Sequence, residues 1–275
     1  MDIEFSILIV CLNPGDKLKT TLESVRKQTY KNYEVIVKDG LSTDGSLEYV
    51  KKVEKELTAL GIIEKQDTGI YDAMNQAVSA ANGKYIYFLN CGDLLYNEYV
   101  LEKVHNLIEA NPSESGIYYG NIYERLTGNV VASNPKLDAF GCYRNVPCHQ
   151  ACFYDRKLLL AHPFDTKYRV RADYEQFVWC FFTKDIQGGV SFVYGDILIA
   201  DYEGGGFSET RQNRKISAGE HWEIVRKYMP LRQAWKYRIF MWVTLAPLRT
   251  WLSRNTVTSG LYNGLKKLYY GKDVK

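Results

Sequence analysis

No stretch of the 275 residues approaches the roughly 20 consecutive apolar positions that cross a bilayer. The start, Met1-Asp2-Ile3-Glu4, lacks the basic opening and small-residue cleavage site of a secretory signal, so the expectation is a cytoplasmic protein. The six cysteines (Cys11, Cys91, Cys142, Cys148, Cys152, Cys180) contain no CxxC pair, and reduced thiols are expected. Cys142, Cys148, His149 and Cys152 lie close in sequence, but their spacing matches no zinc knuckle, and they read as packing residues. No GxGxxG follows the first apolar run and no GxxxxGK[ST] occurs, which argues against a dinucleotide dehydrogenase and a P-loop NTPase. Internal repeats and low-complexity linkers are missing too. What is present, 46% hydrophobic and 24% charged residues, is the composition of a folded globular chain.

The net charge of +3 hides an asymmetry. Residues 1–210 carry 21 Lys and Arg against 29 Asp and Glu, a net −8, whereas residues 211–275 carry 14 against 3, a net +11. The basic tail suits an anionic partner, either an acidic membrane surface or a phosphorylated substrate; the alternative is a solvated helical surface. No nucleic-acid partner is expected.

Strands and helices alternate through the first half. Phe5 to Cys11 is an apolar run of strand length, followed by Leu18, Leu22 and Val25 at helical spacing. Tyr33 to Val37 reads as the second strand, Leu47 to Leu60 contains a second helix, and Ile62-Ile63 begins a third strand. A helix from Tyr71 to Ala81 and a strand from Lys84 to Leu89 follow. This order predicts a mostly parallel sheet with helices on both faces. Beyond residue 115 the pattern is mixed: a hairpin (Gly116 to Tyr123, then Val130-Val131), a strand at Ala151 to Tyr154 and a helix from Ala172 to Phe182. From Arg211 nearly everything reads as helix. The expected organisation is an α/β domain over 1–210, with halves 1–115 and 116–210, and a basic, aromatic helical extension over 211–275.

In an open parallel sheet, ligands bind beyond the C-terminal ends of the strands. Here those ends are acidic: Lys38-Asp39-Gly40-Leu41-Ser42-Thr43-Asp44-Gly45, Asp67-Thr68-Gly69 and Asn90-Cys91-Gly92-Asp93. Such a mouth repels phosphates unless a divalent cation bridges them, which suggests a nucleotide ligand held with Mg²⁺ or Mn²⁺. Taken singly, Asp39 and Asp44 read equally well as turn formers or helix caps.

These stretches carry a resemblance. Ser6 to Asn13, Ser24 to Gly45, Asp67 to Asn75, Gly83 to Asp93, His149-Gln150 and Ala172 to Glu175 together resemble, in order and spacing over about 200 residues, the inverting glycosyltransferases of family 2 with the GT-A fold. The resemblance implies transfer of one sugar from a nucleotide donor, UDP-linked, to a glycan acceptor, lipid-linked. It places Asp39 on the uracil, with Leu12 and Asn13 lining the base pocket. Asp67, Asp72 and Asn75 frame the nucleoside and donor sugar. Asp93 is the last carboxylate of the DxD motif and meets Mn²⁺ or Mg²⁺, and Asp173 is the general base. His149 and Gln150 fall on the acceptor side.

The sequence also departs from the pattern. Asn90-Cys91-Gly92-Asp93 keeps one carboxylate where many relatives have three, and Ala172 replaces the Glu before Asp173, leaving Glu175 as an alternative base. A lone histidine is often structural, and this reading of His149 stays open. Gly204-Gly205-Gly206-Phe207-Ser208, with Arg211 and Arg214, reads either as a loop closing on a diphosphate, with Ser208 and Arg211 as its contacts, or as an interdomain linker. A nucleotidyltransferase and a non-catalytic nucleotide-sugar-binding subunit are the rival functions. In the tail, Trp235, Ile239, Trp242 and Ala246 recur at helical spacing beside Arg232, Lys236 and Arg238, and Pro247 ends the run. The expectation is peripheral docking on the inner face of an anionic membrane; packing within the protein, or against a second copy in a homo-oligomer, is the alternative.

Overall fold

Seven consecutive residues, Phe5–Cys11 (β1), are apolar or small, and all but the last are buried. A strand of this kind needs cover on both faces and belongs in the middle of a sheet. The computed structural model, which describes residues 2–53, 59–205 and 210–244, places it there. The elements follow as α1 (Asp16–Arg26), β2 (Tyr33–Asp39), α2 (Ser46–Val53), β3 (Leu60–Glu64), α3 (Ile70–Ala80), β4 (Tyr85–Phe88), β5 (Leu94–Leu95) and α4 (Val100–Ala110). Then come β6 (Gly116–Glu124), β7 (Asn129–Val131), α5 (Ala139–Arg144), a 3₁₀ turn (His149–Ala151), β8 (Cys152–Asp155), α6 (Arg156–Ala161), α7 (Ala172–Phe182), β9 (Ser191–Tyr202), α8 (Arg211–Tyr228) and α9 (Leu231–Val243).

The sheet runs β3-β2-β1-β4-β8-β6-β9-β5, with β7 added to β6. β3, β2, β1 and β4 are mutually parallel, β8 lies antiparallel between β4 and β6, and β6 and β9 are parallel. The register sets Cys11 beside Asp39 and Asp39 beside Glu64, so the acidic segments leave the sheet along one edge. The reversal at β8 brings the 149–151 turn to that same edge, next to the end of β4. The long strand β9, which sequence patterning does not anticipate, closes the far half and carries Asp201 and Glu203 back toward β5.

Leu18, Leu22 and Val25 of α1 and Val100, Leu101, Val104 and Ile108 of α4 join the strands in one core. Aromatic contacts knit its two halves. Tyr87 stacks on Phe153 at 4.5 Å, and Tyr85 meets Tyr118 edge-on at 5.6 Å; such pairs add about 0.5–1.5 kcal/mol beyond their burial. Close approach explains Gly83, where a Cβ would lie 2.5 Å from Ser6 Oγ and 2.6 Å from its amide nitrogen. The Gly83 N–H donates to that hydroxyl at 2.8 Å.

The first compact unit runs through Ile224, and the second begins at Val225. The start of α8 belongs to the first unit for a local reason. Glu220 accepts the backbone N–H groups of Arg169, Val170 and Arg171 at 2.7, 3.0 and 2.9 Å, and Arg171 Nε donates to Ser217 Oγ at 2.7 Å. These bonds fix the entry to α7 two residues before Asp173. Ser208, Ala246 and Pro247 lie outside the described residues.

Candidate active site

Asp39 ends β2 and is fully buried. Its carboxylate accepts the Ser42 N–H at 2.7 Å and the Ser42 hydroxyl at 2.5 Å, while the Cys11 thiol approaches at 3.5 Å. The loop after β1 is laced to the same turn: Asn13 N–H donates to Ser42 Oγ at 2.7 Å, and Thr43 N–H donates to Asn13 Oδ1 at 2.8 Å. Asp44 holds the Gly15 N–H at 2.8 Å and Ser46, a turn and cap role. Leu12 remains 62% exposed beside these polar loops, and Leu41 is 51% exposed at φ 69°.

Lys38 passes unnoticed among the apolar residues of β2, yet it organises this side. Its ammonium is fully buried and donates to the carbonyls of Asp39 (3.1 Å) and Lys65 (2.7 Å) and to Asp67 Oδ2 (2.7 Å). A buried cation needs such partners, and a charge in a core strand is the signal that points to one. Asp67 also accepts the Gly69 N–H at 3.2 Å. Asp72 sits in the first turn of α3, accepting the Thr68 N–H at 2.9 Å and Gln76 Nε2 at 3.2 Å; the Thr68 N–H bond is the main cause of its lowered pKa. Both ends of the Asn75 amide are occupied by the Phe164 backbone, at 2.9 and 3.0 Å. Asn75 therefore ties down the 164 loop, and Asp72 serves the helix start.

Asp93 closes the turn after β4 and is 4% exposed. Its Oδ1 accepts the Glu203 N–H at 2.7 Å. Burial pushes its carboxyl above the usual range, against the opposing effects of that N–H, the Gln150 amide, His149 and Arg125. The turn needs Gly92, which has φ 98° and whose Cβ would meet Glu203 Oε2 at 2.7 Å. Lys17 in turn pairs with that oxygen at 2.6 Å. Among the described residues no three His, Cys, Asp or Glu side chains are grouped to hold a metal. A divalent cation fits here only in the open form in which one carboxylate anchors it and phosphate and water oxygens complete the shell, as Mg²⁺ commonly allows. The incompletely compensated charge of buried Asp93 matches that demand.

The third cluster joins the two halves of the sheet. His149 Nδ1 lies 3.1 Å from Asp173 Oδ2, and His149 Nε2 lies 3.4 Å from Asn90 Nδ2 in the Asp93 turn. Asp173 Oδ1 accepts the Tyr174 N–H at 2.9 Å and meets the Tyr71 hydroxyl at 2.8 Å, which also reaches the Val170 carbonyl at 2.8 Å. Burial raises the Asp173 carboxyl, but the bond and charge of His149, then Tyr71 and the Tyr174 N–H, outweigh it and hold the group below its ordinary value. Burial keeps Tyr71 protonated, its pKa pushed well up. Gln150 is fully buried beside Asp93, and its side-chain amide is among the groups that oppose the rise of that carboxyl.

Glu175, the alternative base, points elsewhere: it is fully buried and held by His162 Nε2 at 3.0 Å, whose ring stacks on Trp179 at 4.5 Å. A carboxylate with no exposed surface has no access to an acceptor. Arg211 opens α8 and is exposed. Asp93, Asn90, His149, Gln150 and Asp173 thus come together, with Tyr71 added. Tyr71 is missed because an aromatic on an amphipathic helix reads as core.

The acidic strand ends, the single-carboxylate turn and the His149–Asp173 pair thus share one edge of the sheet. Residues 6–159 match the family model described as glycosyl transferase family 2. The chain is 35% identical over 210 residues to a PGL/p-HBAD biosynthesis glycosyltransferase of Mycobacterium bovis, covering 75% of this chain and 79% of that one. It is 33% identical over 150 residues (52% and 57%) to the Escherichia coli UDP-Glc:alpha-D-GlcNAc-diphosphoundecaprenol beta-1,3-glucosyltransferase WfaP. Among solved structures it resembles S. aureus TarS 1-349 in complex with UDP-GlcNAc (TM-score 0.61, 19% identity, 82% of this chain and 65% of that one). It also resembles the mannosyltransferase PcManGT from Pyrobaculum calidifontis in complex with GDP-Man and Mn²⁺ (TM-score 0.56, 16% identity, 99% and 89%). The chain belongs to glycosyl transferase family 2 and is a glycosyltransferase of the GT-A fold.

Proposed function

We propose that the protein is a metal-dependent inverting glycosyltransferase that moves a hexosyl or N-acetylhexosaminyl group from a UDP donor to a lipid-linked glycan. The observation that carries this reading is the meeting of the Asp93 turn and the His149–Asp173 pair through Asn90, at one edge of the sheet. The printed donor and acceptor of WfaP, UDP-glucose and a diphosphoundecaprenol-linked sugar, support the substrate classes.

In this reading Leu12 and Asn13 hold the base over Asp39, and the Lys38–Asp67 pair fixes the far wall of the nucleoside pocket. Asp93 would hold a divalent cation, which would supply positive charge to offset the diphosphate leaving group. The acceptor hydroxyl loses its proton to a basic centre built on Asp173 as it attacks the anomeric carbon. One displacement gives inversion. Ser208 and Arg211 are assigned to the diphosphate side.

Purified protein incubated with a panel of nucleotide sugars and Mn²⁺ is expected to release UDP from one of them, with retention of donor configuration absent from the product as read by NMR. Nucleotide binding without release would leave a non-catalytic subunit, and pyrophosphate-dependent nucleotide-sugar formation would mark a nucleotidyltransferase.

No helix among the described residues is long and apolar enough to cross a membrane. In α9, however, Leu231, Trp235, Ile239 and Trp242 are 57%, 50%, 58% and 74% exposed, among Arg232, Lys236 and Arg238. This supports a reversible interfacial anchor on an acidic lipid surface, with Trp at headgroup level and each basic residue contributing about 1 kcal/mol. Co-sedimentation with vesicles is expected to require acidic lipid, to weaken in high salt and to vanish on deletion of residues 228–275. Equal recovery of full-length and truncated protein in the supernatant would instead leave α9 as a packing or self-association element.

A further inference from the structure

Asp173 is heavily occupied. Its Oδ1 faces the Tyr174 N–H and the Tyr71 hydroxyl, its Oδ2 faces His149 Nδ1, and the carboxyl is held below its ordinary value. A carboxylate that already receives several donors is a poor proton acceptor, and general-base catalysis favours a group that titrates near the working pH. The imidazole bonded to it has a different balance. With Nδ1–H donated to Asp173, the Nε2 lone pair is directed away from the carboxylate, and its neighbour, Asn90 Nδ2, stands at a long 3.4 Å. The other end of that amide, Asn90 Oδ1, is buried and has no partner.

We propose that His149 Nε2 takes the proton from the acceptor hydroxyl and that Asp173 is the positioning residue that holds the imidazole in the tautomer able to do so. The proposal rests on the transferase reading above. As the acceptor O–H bond breaks, its proton moves to Nε2. The oxygen's electron pair forms the new bond to the anomeric carbon, and the bond to the diphosphate breaks with its pair leaving on the phosphate oxygen. The imidazolium then carries N–H groups on both nitrogens, one facing Asp173 and the other facing Asn90. Rotation of the Asn90 amide by half a turn presents the unpartnered Oδ1 to Nε2–H, so the same side chain accommodates both charge states of the ring. Tyr71 and the Tyr174 N–H keep Asp173 from turning away. The ionisable groups that act on the pair include Tyr71, Cys148, Cys152 and Tyr154 around Asp173, and Asp93 across the turn.

The test compares the unaltered enzyme with His149→Ala and His149→Asn, using the donor that the nucleotide screen identifies and nucleotide affinity as the check on folding. In His149→Asn the amide nitrogen can still donate to Asp173, but no nitrogen accepts a proton. Both variants are expected to lose at least about 10²-fold in kcat with donor affinity little changed. Free-base imidazole is expected to restore part of the rate of His149→Ala. Retention of the rate in His149→Asn, or failure of imidazole to raise the rate of His149→Ala, would overturn the proposal and return the base to Asp173. If the unaltered enzyme releases no nucleotide from any donor, the transferase reading itself fails, which is a separate result.

Discussion

Asp93→Ala is expected to bring turnover to background, and excess EDTA to do the same to the unaltered protein. Asp93 is the only carboxylate in the Asn90–Asp93 turn, it is almost fully buried, and burial holds its carboxyl above the ordinary range. A cation bound there would compensate the buried charge of Asp93 and would offset the charge of the diphosphate. Metal catalysis of this kind contributes several kcal/mol, so a loss of at least about 10³-fold follows. Alanine also strips the Glu203 N–H of its acceptor, at about 1–3 kcal/mol, and a lower melting temperature with an unchanged far-UV spectrum is expected. Asp93→Asn separates the two effects, because its amide oxygen keeps the Glu203 bond and only the charge is lost. The raised pKa has a pH consequence: protons compete with metal at Asp93 at higher pH than at an exposed aspartate, so the Mn²⁺ concentration for half-activation should rise as pH falls. Full activity in EDTA would sink the metal assignment.

Asp173→Asn is expected to lower kcat by about 10²-fold or more with donor affinity nearly intact. Three donors converge on this carboxylate, and an amide offers one oxygen in place of two. Its nitrogen would face either the imidazole or the Tyr71 and Tyr174 donors, so the ring loses its alignment. Stability should change in a pH-dependent way. Because the folded carboxyl lies below its unfolded value of about 3.9, it contributes stability that is fully present above that pH and is lost as pH falls through the folded value. The Asn variant should therefore be less stable than the unaltered protein at neutral pH, with the gap closing in acid. Glu175→Gln is the control. It disturbs the buried pair with His162 and should cost stability while leaving the kcat of the remaining folded enzyme close to normal. Loss of turnover in Glu175→Gln with retention in Asp173→Asn would reverse the assignment.

Much of this site is legible along the chain because the family motifs are local. The end of β2 and the turn after β4 each put a fixed residue at the mouth of a parallel strand, and apolar strand runs separated by helical spacing imply that mouth. The oxygens and nitrogens of Asp44, Asp72 and Asn75 are bound by neighbouring backbone or side chains, a fact that only the coordinates supply. Glu175 lies two residues from Asp173 on α7, yet a step of two residues turns about 200° around a helix, which sends one carboxylate toward His149 and the other toward His162.

By itself the sequence determined the alternation of elements in the first half, the acidic edge and the family. Each depends on nearest neighbours in the chain: hydrophobic period, turn residues and short motifs. Tertiary structure alone decided which groups act on one another. His149 meets Asp173 and Asn90 because β8 runs antiparallel between β4 and β6, a pairing that no local pattern encodes. Lys38 meets Asp67 across two parallel strands, and Glu220 pins the entry to α7 from about fifty residues away. Even the meaning of a single carboxylate, exposed cap or buried anchor, came from solvent exclusion, and solvent exclusion is a property of the packed molecule.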